Sequence, residues 1–71
     1  MEIIEINTEY IKLDQLLKYA AVVGNGSEAK MVILDGLVSV NGQVCTQRNK
    51  KIRPEDEVFV EDYGKLIVKG L

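Results

Sequence analysis

The sequence predicts an α+β domain in which two short helices pack on a small, twisted, mostly antiparallel sheet. Two segments, 12–21 and 27–36, repeat apolar residues at helical spacing. Short segments rich in Val, Ile and Leu suit strands, and Asn41-Gly42 between two of them is a strong hairpin signal. A chain of 71 residues supports one modest core, so we expect a single domain over residues 1–71.

The first helix is predicted over residues 12–21. Its apolar residues recur at i, i+3, i+4, i+7 and i+8, which places on one face Leu13, Leu16, Leu17, Ala20 and Ala21. We expect Gly24-Asn25-Gly26 to end this helix, because Gly and Asn tolerate the positive φ angles that follow a helix C-terminus.

The second helix is predicted to start at Ser27, which has the side chain of a typical N-cap. Glu28 then lies in the first turn, where the helix dipole favours a negative charge. Gly36 is expected to end the helix.

The remaining segments predict short strands. The first is Glu2 to Asn7, which is rich in Ile. Four more strands follow the helices, over residues 37–40, 43–46, 57–60 and 66–68. A hairpin turn at Asn41-Gly42 joins the first two, and another turn near Tyr63-Gly64 joins the last two.

Several classes of function are excluded by composition. The chain has no His, and its one Cys is Cys45, so an internal disulfide, a multi-Cys zinc site and a His general base are all ruled out. A packed or idle thiol is the favoured interpretation of Cys45, since nothing in the chain would activate it. No signal peptide or membrane-spanning pattern is present. We expect a cytoplasmic, non-enzymatic protein without catalytic residues, cofactor, metal or membrane partner.

Charge is segregated along the chain, although the net charge is only −2. Residues 1–11 carry −3, residues 54–71 carry −3, and residues 12–53 carry +4 from seven cations and three carboxylates. Because physiological salt screens exposed charges beyond about 8 Å, the local excess matters more than the net value. The middle of the chain is therefore the candidate surface for an anionic partner.

The most basic segment is Gln47-Arg48-Asn49-Lys50-Lys51. One interpretation is a solvated loop whose charges protect a sheet edge from aggregation. The other is a polyanion-binding surface, which Lys12 and Lys30 would join if the two helices pack side by side.

Four short motifs follow one another in a fixed order: Lys12-Leu13-Asp14 with Leu17, Ser27-Glu28-Ala29-Lys30, Asp35-Gly36 with Val38 and Val40-Asn41-Gly42, and Ile52 with Pro54-Glu55-Asp56 and Val58. In this order, over about residues 10–62, they resemble the alpha-L RNA-binding motif of the S-four-type RNA-binding domain family. The short stand-alone bacterial members of YaaA and YbcJ type are the most similar, because they share the Gly-rich turn between the helices and the Thr46–Lys51 segment.

The resemblance implies that the two helices and the hairpin present one face to structured RNA. Carried over by position, the RNA-binding residues are Lys12, Ser27, Lys30, Asn41, Gln47, Arg48, Asn49, Lys50 and Lys51. The chain departs from the family pattern at Glu28, where Arg is common, and Lys30 is the expected replacement. It departs again at Glu55, which stands where the family has Gly before the Asp.

The function expected from these observations is a monomeric RNA-binding module that recognises ribosomal RNA or an assembling ribosomal particle. Cations neutralise phosphates, and amides can hydrogen-bond base edges or 2′-hydroxyls. The three tyrosines form no ladder for stacking single strands, which favours recognition of folded RNA. The alternative is a protein–protein adaptor that keeps this fold and binds a partner through its acidic ends and a sheet edge.

Overall fold

The computed structural model describes residues 1–71 and contains two helices and seven strands. In chain order these are β1 (Glu2–Ile6), β2 (Ile11–Lys12), α1 (Leu13–Tyr19), α2 (Gly26–Leu34), β3 (Val38–Val40), β4 (Gln43–Val44), β5 (Lys51–Ile52), β6 (Glu57–Val60) and β7 (Gly64–Gly70). The predicted α+β fold is confirmed.

Five strands form one sheet in the order β1-β7-β6-β3-β4. Every neighbouring pair is antiparallel except β1 and β7, which run parallel with Ile4 opposite Val68. The strands β2 and β5 form a separate antiparallel pair. The sequence analysis predicted neither β2 and β5 nor the parallel pairing, because two-residue strands have no periodicity of their own.

The core consists of sixteen buried residues, and all of them are hydrophobic. Strands β6 and β7 bury alternate residues, as expected for a sheet with one covered face. The predicted apolar face of α1 is confirmed at Leu13, Leu16, Leu17 and Ala20. Ala21 was predicted to join that face, but it lies beyond the end of the helix and is exposed.

The first helix ends at Tyr19, well before the predicted stop at Gly24-Asn25-Gly26. Its end is a Schellman motif in which Val22 N–H donates to the Leu17 carbonyl (2.9 Å) and Ala21 N–H donates to the Lys18 carbonyl (3.0 Å). This motif requires a left-handed residue, and Ala21 supplies it with a φ of 58°. The prediction was wrong because Gly, not Ala, is the residue that signals such an end.

The second helix is capped by Asn25, so the prediction of Ser27 as the N-cap was wrong by two residues. The Asn25 side chain accepts a hydrogen bond from Glu28 N–H (2.9 Å), and Glu28 Oε1 accepts one from Gly24 N–H (2.8 Å). The first bond satisfies a donor that the helix leaves free at its start, and the second fixes the residue before the N-cap. Glu28, where the family has Arg, is therefore part of the cap.

The end of α2 is as predicted. Gly36 has a φ of +77° and completes a Schellman motif, in which Leu37 N–H donates to the Val32 carbonyl and Gly36 N–H to the Ile33 carbonyl, both at 3.1 Å. The hairpin turn is also confirmed, with positive φ at Asn41 (50°) and Gly42 (87°).

Four strands differ in length from the predictions. Two are one residue shorter, since β1 ends at Ile6 and β3 begins at Val38. The returning hairpin strand was predicted over 43–46 and ends at Val44, although Cys45 N–H still donates to the Val38 carbonyl at 2.9 Å. The last strand was predicted over 66–68 and spans Gly64–Gly70, because pairing with β6 extends its start and pairing with β1 extends its end.

The two helix ends give a matched stability test. We expect Ala21→Gly to raise the free energy of unfolding by about 0.5–1 kcal/mol, because it relieves a left-handed Ala. Gly36→Ala should lower it by about 1–2 kcal/mol through the same strain. An added Cβ at Gly36 would meet Val44 at an ordinary 3.8 Å, so a clash does not contribute. Urea unfolding measures both changes.

Ala20→Gly is the control, because Ala20 has a φ of −83° and gains nothing from Gly. It should lower stability by about 1 kcal/mol. Equal destabilisation by Ala20→Gly and Ala21→Gly would contradict the assignment of strain to Ala21.

Candidate nucleic-acid interface

The basic loop, defined here as residues Gln47–Lys51, is held against the start of α1 by backbone hydrogen bonds. Leu13 N–H donates to the Lys50 carbonyl (2.8 Å), and Asp14 N–H donates to the Arg48 carbonyl (3.1 Å). Helices leave their first N–H groups without internal partners, and Lys12 at the N-cap provides no side-chain bond. The loop carbonyls take that role, so the loop and the helix start are fixed together.

The short β2–β5 pair reinforces this attachment. Lys12 lies directly opposite Lys51, and Ile11 lies opposite Ile52. Ile52 is fully buried and anchors β5 in the core. This register places Lys12 beside Lys51 of the basic loop.

Tyr10 lies beneath two of the cations. Lys51 Nζ is 4.8 Å from the centre of the Tyr10 ring, and the Arg53 guanidinium carbon is 5.9 Å from it. Cation–π attraction of this kind stabilises exposed pairs by about 0.5–1 kcal/mol. Sequence reasoning missed this arrangement, because Tyr10 reaches the basic loop only through the β2–β5 pairing.

The cations of the middle of the chain have no carboxylate partners. The only ion pairs are Lys65 with Glu57 (3.1 Å) and Lys69 with Glu55 (2.9 Å), and both belong to the acidic C-terminal part. All seven cations of residues 12–53 are free of ion pairs. The positive charge of the basic loop is therefore available to an external anion.

Among the acidic ends, Glu2 is tied to the turn between β6 and β7. The Tyr63 hydroxyl donates to Glu2 Oε1 at 2.7 Å. This hydrogen bond, aided by partial desolvation and the negative charge of Glu2, raises the pKa of Tyr63 above its usual value.

A groove of about 490 Å³ lies between the β3–β4 hairpin and the segment from Gln47 to Arg53. Only Val40, Val44 and Cys45 contribute apolar side chains to it. Four of the RNA-binding residues predicted from the sequence line it, namely Asn41, Gln47, Lys50 and Lys51. Sequence reasoning did not include the other polar residues of the groove, which are Gln43, Thr46, Arg53 and Asp56.

The side chains of two groove residues, Asn41 and Asp56, form hydrogen bonds within the protein. The Asn41 side chain donates to Asp56 Oδ1 (3.0 Å) and accepts from Glu57 N–H (2.9 Å). Asp56 Oδ2 accepts from Arg53 N–H at 2.8 Å. Asn41 and Asp56 therefore join the hairpin turn to the segment before β6, and they form the framework of the groove.

The turn from Arg53 to Asp56 has Glu55 at a left-handed position, where the family pattern has Gly. Asp56 N–H donates to the Arg53 carbonyl at 3.0 Å, and Glu55 adopts a φ of 79°. Glu is rarely left-handed, and the backbone hydrogen bond from Glu55 N–H to the Val68 carbonyl (2.7 Å) holds it there.

The other predicted residues lie outside the groove. Arg48 and Asn49 are exposed at the tip of the turn that Lys50 N–H closes onto the Gln47 carbonyl at 3.1 Å. Ser27 and Lys30 are exposed near the start of α2, which packs beside α1, and neither forms a hydrogen bond or ion pair with the basic loop. Their RNA-binding roles stay predictions.

Metal-binding clusters and membrane-spanning helices are both absent from the structure. No group of three or more His, Cys, Asp or Glu side chains is placed to hold a metal ion. Neither helix is long and apolar enough to cross a membrane.

Two packed helices, a following hairpin and a basic loop beside them define the alpha-L class of RNA-binding domain. A family model described as S4 domain matches residues 4–69, which is nearly the whole chain. The chain therefore belongs to the S4 domain family, as the resemblance of its motifs implied.

Proteins that are similar to the chain include a bacterial relative and an enzyme of known structure. The chain is 37% identical over 65 residues to the probable ribosome maturation protein RlbA of Bacillus subtilis (strain 168), and the match covers 92% of each chain. A crystal structure of a pseudouridylate synthase matches with a TM-score of 0.67 and 27% identity. That match covers 73% of this chain and only 22% of the synthase chain.

The framework role of Asn41 can be tested by Asn41→Gly, which tolerates the positive φ but removes both side-chain hydrogen bonds. We expect the free energy of unfolding to fall by about 1–2 kcal/mol in urea titrations. Asn49→Ala is the control and should change it by less than about 0.5 kcal/mol. Full stability of Asn41→Gly together with weaker RNA binding would show that Asn41 contacts RNA instead.

Proposed function

We propose that this protein is a non-enzymatic RNA-binding module that recognises structured RNA, either ribosomal RNA or an assembling ribosomal particle. The observation that carries the proposal is the gathering of cations without ion-pair partners where the basic loop meets α1. We define this basic face as Lys12, Arg48, Lys50, Lys51 and Arg53. Membership of the S4 domain family and the similarity to a probable ribosome maturation protein support the choice of RNA.

The basic face suits phosphate groups. Each Lys or Arg that neutralises a phosphate releases condensed counterions, which provides affinity that depends on salt. The cations are exposed at neighbouring positions of a fixed backbone, so little ordering is needed before they meet a phosphate chain. Four contacted phosphates would give a slope of about −3 for log affinity against log salt.

Folded RNA fits this surface better than an extended single strand. Proteins that bind single strands without sequence preference stack successive bases on free aromatic rings. Here the Tyr10 ring is engaged by Lys51 and Arg53, and no second ring lies beside it. Recognition would therefore depend on the shape of the phosphate backbone.

Ser27 and Lys30 would form a second contact region at the start of α2. Both are exposed, and Lys30 has no ion-pair partner. The Glu28 carboxylate, which would repel phosphate, is turned back onto Gly24 N–H. This arrangement leaves Lys30 as the cation of that turn.

We also propose that the protein acts as a cytoplasmic monomer of one domain and has no catalytic activity. The chain spans only 22% of the length of the pseudouridylate synthase structure that it matches, so that likeness concerns a shared domain and not a reaction. Chaperoning or stabilising an RNA junction is the kind of work that a module without attached chemistry can do.

A matched pair of single substitutions tests the basic face. Lys51→Gln removes a cation that has no ion-pair partner. Lys65→Gln removes a cation on β7 that forms an ion pair with Glu57 on β6. We expect Lys51→Gln to weaken binding to ribosomal RNA and to reduce the magnitude of the salt slope by about 0.7–0.9. Filter binding over about 50–200 mM salt measures both quantities.

Lys65→Gln has the same effect on net charge and should leave the slope unchanged. A flat salt dependence in the unaltered protein, or equal losses in the two variants, would overturn the proposed basic face.

A protein–protein adaptor is the second candidate, and one observation favours it. The face of the sheet turned away from the helices exposes Ile3 (61%) and Phe59 (45%), which is suitable for a protein partner. Charge reversal at Arg48, Lys50 and Lys51 separates the two functions. It should abolish binding to ribosomal RNA, whereas an adaptor that uses the sheet face would retain its partner.

A further inference from the structure

We propose that the groove beside the basic loop holds one unstacked nucleotide of the bound RNA. Its phosphate would lie on Lys50, Lys51 and Arg53, and its base edge would face Gln43 and Gln47. This proposal rests on the proposed function, and it specifies which part of a structured RNA the groove binds.

The size of the groove fits a single nucleotide. Its volume of about 490 Å³ falls in the range of about 300–1,000 Å³ that is usual for sites of small molecules. Bases inside a double helix are paired and stacked, so they cannot enter a concave site. A bulged or looped nucleotide is already free to do so.

One wall of the groove is cationic. Lys50, Lys51 and Arg53 come from one continuous segment, and none of them has an ion-pair partner. The burial of Ile52 and the Tyr10 ring beneath Lys51 and Arg53 fix the position of this wall. An Arg beside two Lys is suited to a phosphate group, because guanidinium can donate two parallel hydrogen bonds.

Three other polar side chains of the groove are neutral and can both donate and accept hydrogen bonds. The side chains of Gln43, Thr46 and Gln47 line the groove but make no hydrogen bond within the protein, unlike those of Asn41 and Asp56. Amide groups match the donors and acceptors of a base edge. The groove therefore offers cations to a phosphate and unpaired amide groups to a base edge.

The apolar part of the groove suits the flat face of a base. Val44 is 64% exposed, and Cys45 is half-buried beside it. A free phosphate would leave these apolar side chains unused. An acidic peptide would use the cations but would bring no flat ring to the apolar side chains.

Cys45 provides a direct test, because it is the only cysteine and it lines the groove. The probes are two RNA hairpins that differ by one bulged nucleotide, and the readout is the rate of Cys45 alkylation by iodoacetamide. With bulged RNA at about ten times its Kd, we expect alkylation to slow about tenfold, since about a tenth of the protein is free. The fully paired hairpin, bound at equal saturation, should protect Cys45 little.

Two substitutions test whether Gln43 and Gln47 contact the edge of the base. The double variant Gln43→Ala, Gln47→Ala should lose about tenfold or more of the preference for the bulged hairpin. Both residues are exposed, so the fold should tolerate the change. Gln15→Ala is the control, since Gln15 is an exposed amide on α1 outside the groove, and it should keep the preference.

The outcomes separate this proposal from the proposed function. In one outcome, both hairpins bind tightly and with salt dependence while Cys45 is alkylated as fast as in the RNA-free protein. That result would overturn the groove proposal and leave RNA binding intact. Failure to bind either hairpin or ribosomal RNA would overturn both. Equal protection of Cys45 by poly-glutamate would overturn the assignment to a nucleotide.

Discussion

The site depends on two backbone hydrogen bonds, which join the N–H groups of Leu13 and Asp14 to the carbonyls of Lys50 and Arg48. They satisfy donors that α1 leaves free at its start, where Lys12 supplies no side-chain cap. In doing so they fix an exposed loop on a helix whose apolar face is in the core. Mutual repulsion among the cations would otherwise favour a loop that swings away from Lys12. Burial of Ile52 opposes that repulsion from the other side of the same segment.

The charges of the protein divide into two groups with different roles. Lys65 and Lys69 pair with Glu57 and Glu55, so the acidic C-terminal part partly neutralises itself on the sheet. The cations of residues 12–53 have no such partners. The net charge of −2 therefore does not describe the basic face. Physiological salt screens exposed charges beyond about 8 Å, so an anion near this face is attracted by the local positive charge.

The sequence predicted those features that local signals encode, such as the hairpin at Asn41-Gly42, the helix end at Gly36 and the apolar face of α1. It missed two local features and those that tertiary contacts decide. The Schellman motif at Ala21 lacks the usual Gly, and Asn25 with Glu28 three residues later has the spacing of a capping box that the choice of Ser27 overlooked. The groove was missed because tertiary contacts build it. Its walls meet only through the β3–β4 hairpin and the segment after it, and Tyr10, Gln43 and Arg53 carry no motif that would link them.

If RNA binds where the basic loop joins α1, an amide-resolved NMR titration of the full chain with ribosomal RNA will locate the contact, because it reports on the whole backbone in one experiment. We expect the largest shift changes at Lys12 and over residues 47–53, with smaller changes near the start of α2. Changes concentrated on the opposite sheet face, around Ile3 and Phe59, with none in the basic loop, would contradict it.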